Sequence, residues 1–147
     1  MSTVRDMIRK KGKGNEVFSI APDATVYEAL KLMAETNIGA LMVLSGDKVE
    51  GIISERDCVR KMDLEGRTAR QTKVSEIMTS RVIYVDAGQP LEECMALMID
   101  KNIRHLPVYD GQELLGLISV RDVLKEVVDV QKVMLTQLER YITGGGR

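Results

Sequence analysis

Tryptophan is absent from this sequence, and phenylalanine occurs once. An apolar content of 44% must therefore build an aliphatic core, with nine methionines as adaptable filler. Cysteine is scarce too. Two thiols, Cys58 and Cys94, are too few for a disulfide framework or a zinc site. Each lies in a helical apolar pattern and reads as a small core hydrophobe; a redox pair is the minority alternative. There is one histidine, His105, with no second His or Cys at metal-ligand spacing, so no metal is expected.

Excess charge is also missing. Lys and Arg number 21 against 22 Asp and Glu, a net charge of −1. That provides no basic field for nucleic acid or an anionic membrane. Apolar runs such as Ala40 to Leu44 are far too short to span a bilayer. The start, MSTVRDMIRKKGKGNE, has no apolar signal core, and a soluble cytoplasmic protein is expected. No nucleophile–base pair, G-x-S-x-G elbow or Walker-type loop is present, so the chain does not read as an enzyme.

What is there is a repeat. Shifted by 65 positions, residues 17–62 overlay 82–127 without a gap, with about 14 of 46 pairs identical. Anchors include Leu32/Leu97, Met33/Met98, Asn37/Asn102, Ile38/Ile103, Leu41/Leu106 and Gly46/Gly111. A leading VRDMI (Val4–Ile8) echoes VSEIM (Val74–Met78), five residues out of phase. Each copy starts with a short apolar segment, VFSI or VIYV, that predicts a strand. A helix follows at Val26–Ala34 or Leu91–Ile99. Thr25 and Glu28 form a capping box at the first of these, and Pro90 suits the first turn of the second. Asn37 and Asn102 suit left-handed caps at the far ends. Two strands around SGDK or DGQE then predict a hairpin, and a second helix begins after Ser54 or Ser119. The unit is β-α-β-β-α, and two such units stacked sheet to sheet could share a core.

The last helix continues beyond the repeat. Leu124, Val127, Val128, Leu135, Leu138 and Ile142 keep a helical stripe up to the terminal glycines, Gly144–Gly146, which should fray. The stripe reads either as a core-facing extension or as a self-association surface.

The repeated turns are GIISERD (Gly51–Asp57) and GLISVRD (Gly116–Asp122). Alone, S-x-x-D is a helix cap: Ser accepts from first-turn amides, and the acid suits the positive helix end. Three features favour a ligand turn. Glycine in the strand permits close approach of another group. The Ser leads from a buried strand into a helix start, where a phosphate binds well. Arg56 and Arg121 can donate to phosphate, while Asp57 and Asp122 can accept from ribose hydroxyls.

The doubled unit, the segment NIRHLPV, the matching TNIGALMVLSGDKVEGIISERD and the lead-ins VRDMI and VSEIM resemble a pair of CBS domains, a Bateman module, over roughly residues 4 to 128. The resemblance implies an α+β fold of two tandem repeats with pseudo-twofold symmetry. It divides the chain into repeat 1 (4–66), repeat 2 (72–128), a helix extension (129–143) and a tail (144–147). It also implies an adenine nucleotide ligand, AMP foremost, with ATP, ADP or NAD as alternatives and S-adenosylmethionine in some relatives. Ser54 with Asp57, and Ser119 with Asp122, would hold phosphate and ribose. The opposite copy would hold the base: Val17, Phe18, Ile38, Gly39 and Ala40 for the Asp122 site, and Thr79, Val82, Ile83, Ile103, Arg104 and His105 for the Asp57 site.

Arg104 matches a position that often contacts phosphate in this family, and its counterpart is Gly39. The Asp122 site should therefore have the better clamp, from Arg104 and Arg121, and the sites should be unequal. His105 reads as a hydrogen-bonded spacer or a phosphate-side donor. Lys10, Lys11 and Lys13 read as a solvated loop or as candidate phosphate contacts. The resemblance implies a regulatory, energy-sensing module that forms a homodimer and signals to a separate effector protein. The alternative is a ligand-independent interaction or dimerisation module.

Overall fold

The computed structural model describes residues 2–11 and 18–143, without the side chains of Lys11 and Thr143. Val17, Lys13 and Gly144–Gly146 lie outside the described residues, as does the side chain of Lys11. The element order is α1 (Val4–Lys11), β1 (Ser19–Ile20), α2 (Val26–Thr36), β2 (Ala40–Ser45), β3 (Lys48–Ser54) and α3 (Glu55–Asp57). Helix α3 runs through a π-helical stretch, Cys58–Met62, into α4 (Asp63–Glu65). Then come a 3-10 turn at Ala69–Gln71, α5 (Val74–Ile77), β4 (Val85–Asp86), α6 (Leu91–Lys101), β5 (His105–Asp110), β6 (Glu113–Ser119) and α7 (Val120–Thr143).

Each repeat builds one three-stranded sheet, in the orders β1-β2-β3 and β4-β5-β6. The outer short strand is parallel to the central one, which pairs antiparallel with the third. The ladder shifts at the same repeat position in both, between Val43 and Leu44 and between Val108 and Tyr109. Gly46 and Gly111 both turn the hairpin at φ 62°, a conformation that costs glycine little. Asn37 and Asn102 end α2 and α6 in the left-handed region, as expected.

Two local expectations need correction. The leading strands sit at the C-terminal ends of VFSI and VIYV: Phe18 and Val82–Tyr84 lie outside them, and Val85 starts β4. These strands pair only with Met42–Val43 and Val108–Tyr109, so two residues suffice. Pro90 is the N-cap of α6, at φ −63° and ψ 147°, one position before the helix.

Packing divides the chain differently from the repeat. One compact unit is Glu16–Tyr84; the other joins Met1–Asn15 to Val85–Arg147. Thus α1, which precedes repeat 1, packs with repeat 2, while α5, which precedes repeat 2, packs with repeat 1. The same backbone bonds dock both. Val4 N–H donates to Gln89 O (3.0 Å) and Leu91 N–H to Ser2 O (3.1 Å) in one unit. Val74 N–H donates to Ala24 O (2.8 Å) and Val26 N–H to Thr72 O (2.8 Å) in the other.

Each unit has its own buried apolar cluster. Met33, Leu41, Ile53 and Ile77 centre one; Leu91, Leu106, Ile118 and Val123 centre the other. Cys58 and Cys94 belong to these clusters, and burial raises both thiols to about 11. Among the described residues no helix is long and apolar enough to cross a membrane.

Candidate functional site: the paired S-x-x-D turns

In repeat 1, Ser54 leaves β3 in an extended conformation and caps α3. Its Oγ accepts from Asp57 N–H at 3.1 Å, while Asp57 Oδ2 accepts from Ser54 N–H at 3.3 Å and Ser54 Oγ–H at 3.0 Å. Lys61 Nζ stands 3.7 Å from Asp57 Oδ1 and donates to Ile77 O at 2.8 Å, reaching the end of α5. Repeat 2 has the same box. Ser119 N–H donates to Asp122 Oδ2 at 2.9 Å, and Asp122 N–H donates to Ser119 Oγ at 3.1 Å. The two Ser–Asp pairs are thus structural caps in both copies.

This cap recurs elsewhere in the chain. Thr25 and Glu28 form the expected box. Thr3 and Asp6 form another that sequence reading missed, although T-x-x-D was its visible signal. Lys73 N–H donates to Glu76 Oε2 at 2.7 Å at the start of α5. Backbone N–H donation is the main reason the Asp6 and Glu76 carboxyls lie below the ordinary range.

Two of the first-turn amides at each S-x-x-D helix are used within the fold. Glu55 N–H donates to Gly39 O at 3.0 Å, and its counterpart Val120 N–H donates to Arg104 O at 2.9 Å. Asp57 and Asp122 N–H are taken by serine. The expected row of phosphate-binding amides is therefore reduced, and side chains must supply more of any anion affinity.

The bond from residue 55 or 120 also decides what stands beside each turn. In repeat 1 it joins Gly39 to Glu55; a Cβ at Gly39 would lie 3.5 Å from Glu55 Oε1. In repeat 2 it joins Arg104 to Val120. The first turn thus carries a carboxylate where the second carries none, and lacks the guanidinium that the second has. Arg104 and Arg121 are both exposed.

The strand glycine does a different job from the one expected in repeat 1. A Cβ on Gly51 would stand 2.6 Å from Thr79 O and 2.9 Å from Met78 Sδ. The close approach is made by the chain's own Thr79, which exchanges two backbone bonds with Ile52 at 3.0 and 2.8 Å.

The other expected site residues fall within their own units. Phe18 and Ile38 pack against the first apolar cluster, and Ala40 opens β2 opposite Ser54. Ile103 packs against the second cluster, and half-buried His105 opens β5 opposite Ser119. Val82 and Ile83 lie in an irregular segment, Val82 half-buried and Ile83 exposed. Arg56 and Arg121 occupy the first turns of α3 and α7. Phe18, Ile38, Gly39 and Ala40 belong to one unit, and Asp122 belongs to the other. Lys10 is engaged by Glu126, Nζ to Oε1 at 2.6 Å. Among the described residues no group of three or more His, Cys, Asp or Glu could hold a metal ion.

The sequence model of the CBS domain matches residues 4–64 and 74–129. The chain belongs to the CBS-domain family. A solved CBS-domain protein of Burkholderia ambifaria MC40-6 is 46% identical, with a TM-score of 0.84 over 87% of this chain and 95% of that one. The mitochondrial CBS domain-containing protein CBSX3 of Arabidopsis thaliana is 37% identical over 98% of this chain and 73% of its own length. A more distant CBS pair, 22% identical with a TM-score of 0.75 over 88% of this chain and 98% of that one, is solved in complex with 5'-methylthioadenosine and S-adenosyl-L-methionine. At that identity the likeness is one of fold. In CBS terms, the boxes at Ser54–Asp57 and Ser119–Asp122 close the two repeats.

Proposed function

We propose that this CBS pair is a regulatory module that binds an adenine nucleotide at its S-x-x-D turns, with the turn of repeat 2 dominant. AMP is the first candidate; ADP, ATP and NAD are the alternatives. The observation that supports this reading is the Val120 N–H to Arg104 O bond, which joins the backbone of exposed Arg104 to the start of the Ser119–Asp122 turn, within reach of which its guanidinium would lie. Capping does not exhaust Asp122 as an acceptor. A carboxylate offers about four lone-pair sites, so it can serve its own backbone and a ribose hydroxyl together. Arg104 and Arg121 would then take the phosphate by charge-assisted hydrogen bonds. Gly39 and Glu55 make the turn of repeat 1 a poorer phosphate site. The adenosine ligands of the distant CBS pair support the ligand class.

A ligand can signal only through different affinities for two states. We assign the output to a change in a homodimer or in contact with a separate effector protein, in the cytoplasm, without catalysis. Isothermal titration of the intact protein with AMP, ADP, ATP and NAD tests the reading. Binding that Arg104→Ala and Asp122→Ala weaken far more than Asp57→Ala supports it; no binding at millimolar concentration to folded protein sinks it.

The recurrence of the same box at Thr3–Asp6 and Thr25–Glu28 favours a second reading, in which all these acids are caps and the module works by protein contact alone. Mass spectrometry of small molecules released on heating separates the two.

A further inference from the structure

We infer that the outer face of α7 is the contact between two copies of this chain, which pair as antiparallel helices over Leu124–Ile142. This deepens the homodimer reading above by naming its surface and is independent of the nucleotide. Helix α7 has two apolar stripes. The inner stripe runs through Val123, Val127 and Val130, of which Val123 is fully buried and the other two half-buried in its own unit. The outer one is Leu124, Val128, Gln131, Leu135, Leu138 and Ile142, with spacings that alternate between four and three, the seam of a two-stranded coiled coil. Its five apolar members are 40 to 71% exposed. Of the stripe expected from the sequence, Val127 faces the core of its own unit, while Leu124, Val128, Leu135, Leu138 and Ile142 are exposed.

Why a second copy covers it, and in which direction, follows from the flanks. Lys125, Lys132 and Glu139 recur every seven residues on one side, and Val127, Met134 and Tyr141 on the other. Antiparallel pairing sets like flanks together. With Leu124 opposite Ile142 of the second copy and Val128 opposite its Leu138, Lys125 meets Glu139 at both ends, two opposite-charge contacts against one like-charge contact, Lys132 with Lys132, at the centre. Met134 then lies against Met134 and Val127 against Tyr141, so the apolar flank is covered as well. Parallel pairing would set both lysines against the apolar flank with no opposite charge.

The seam and its apolar flank offer on the order of 100 Å² of exposed surface per large side chain. Two copies would bury roughly 1,400 Å², within the range of specific interfaces.

Sedimentation velocity on the intact protein tests this. A dimer at micromolar concentration is expected. Leu135→Glu with Leu138→Glu should raise its dissociation constant at least a hundredfold with an unchanged far-ultraviolet spectrum. Lys125→Glu and Glu139→Lys should each weaken it severalfold, and together restore it. Mixed single variants Leu124→Cys and Ile142→Cys should cross-link to each other and not to themselves, because both native thiols are buried. A monomer throughout overturns this inference and the dimer reading together. A dimer indifferent to these changes, or self-cross-linking of either variant, overturns this interface alone.

Discussion

Lys10 Nζ lies 2.6 Å from Glu126 Oε1, joining the exposed end of α1 to a carboxylate that is 94% hidden within the second unit. Glu126 occupies the repeat position of Lys61, and Lys61 also reaches the lead-in helix of its unit, at Ile77 O. One position thus ties the lead-in helix in both units, with opposite charge. Removing the lysine strands a buried anion, whereas replacing the acid with an apolar isostere strands nothing buried. Lys10→Ala should therefore lower the midpoint of urea unfolding more than Glu126→Met does. The reverse order would mean that the carboxylate is solvated without its partner.

The same pair sets a pH dependence. The hydrogen bond to Glu126 raises the ammonium of Lys10 above its ordinary 10.5. The folded state then holds the proton more tightly than the unfolded chain. The stabilisation is complete below the ordinary value and is lost as pH rises through the folded one. The stability difference between wild type and Lys10→Ala should be constant from pH 7 to 9 and shrink above 10.5, measured by urea titration.

Burial of Cys58 and Cys94 pushes their thiols from 9.0 to about 11. The unfolded chain loses these protons first, so each thiol lowers stability as pH rises from about 9 to 11. Both should resist alkylation by iodoacetamide at pH 8 in the native protein and react fully in denaturant. Rapid native labelling would contradict their burial.

Gly51→Ala places a methyl group against Thr79 O and Met78 Sδ. Backbone must move, at a cost of about 1–3 kcal/mol in chemical denaturation. An unchanged midpoint would mean that the Ile52–Thr79 pairing yields easily.

If Arg104 makes the repeat-2 turn the stronger nucleotide site, the first turn can be converted. Gly39→Arg alone should gain little, because the new guanidinium arrives beside Glu55. Gly39→Arg with Glu55→Val should add affinity of about 1.5–3 kcal/mol at the first turn, the scale of a charged hydrogen bond, read by calorimetry. Arg104→Ala should lose a comparable amount at the second.

Much of this was readable locally. The repeat, both hairpins, the Thr25–Glu28 box and the Asn37 and Asn102 caps depend on residues within a few positions of one another, where side-chain chemistry and φ preference decide the outcome. The S-x-x-D turns were readable too, but as two things at once, since a cap and a ligand turn use the same residues. Their inequality could be suspected from Arg104 against Gly39. The acid beside Gly39 could not, because Glu55 reaches it only through the strand-to-helix bond.

The sequence by itself determined two α+β repeats with their caps and turns, because these follow from periodicity and short-range hydrogen bonding. Only the tertiary structure decided that α1 packs with the second repeat and α5 with the first, that Gly51 makes room for Thr79, and that Lys10 serves Glu126. Each is a contact between segments far apart in the chain. An apolar or charged residue states that it needs a partner, and only the packing of the whole chain says which partner it finds.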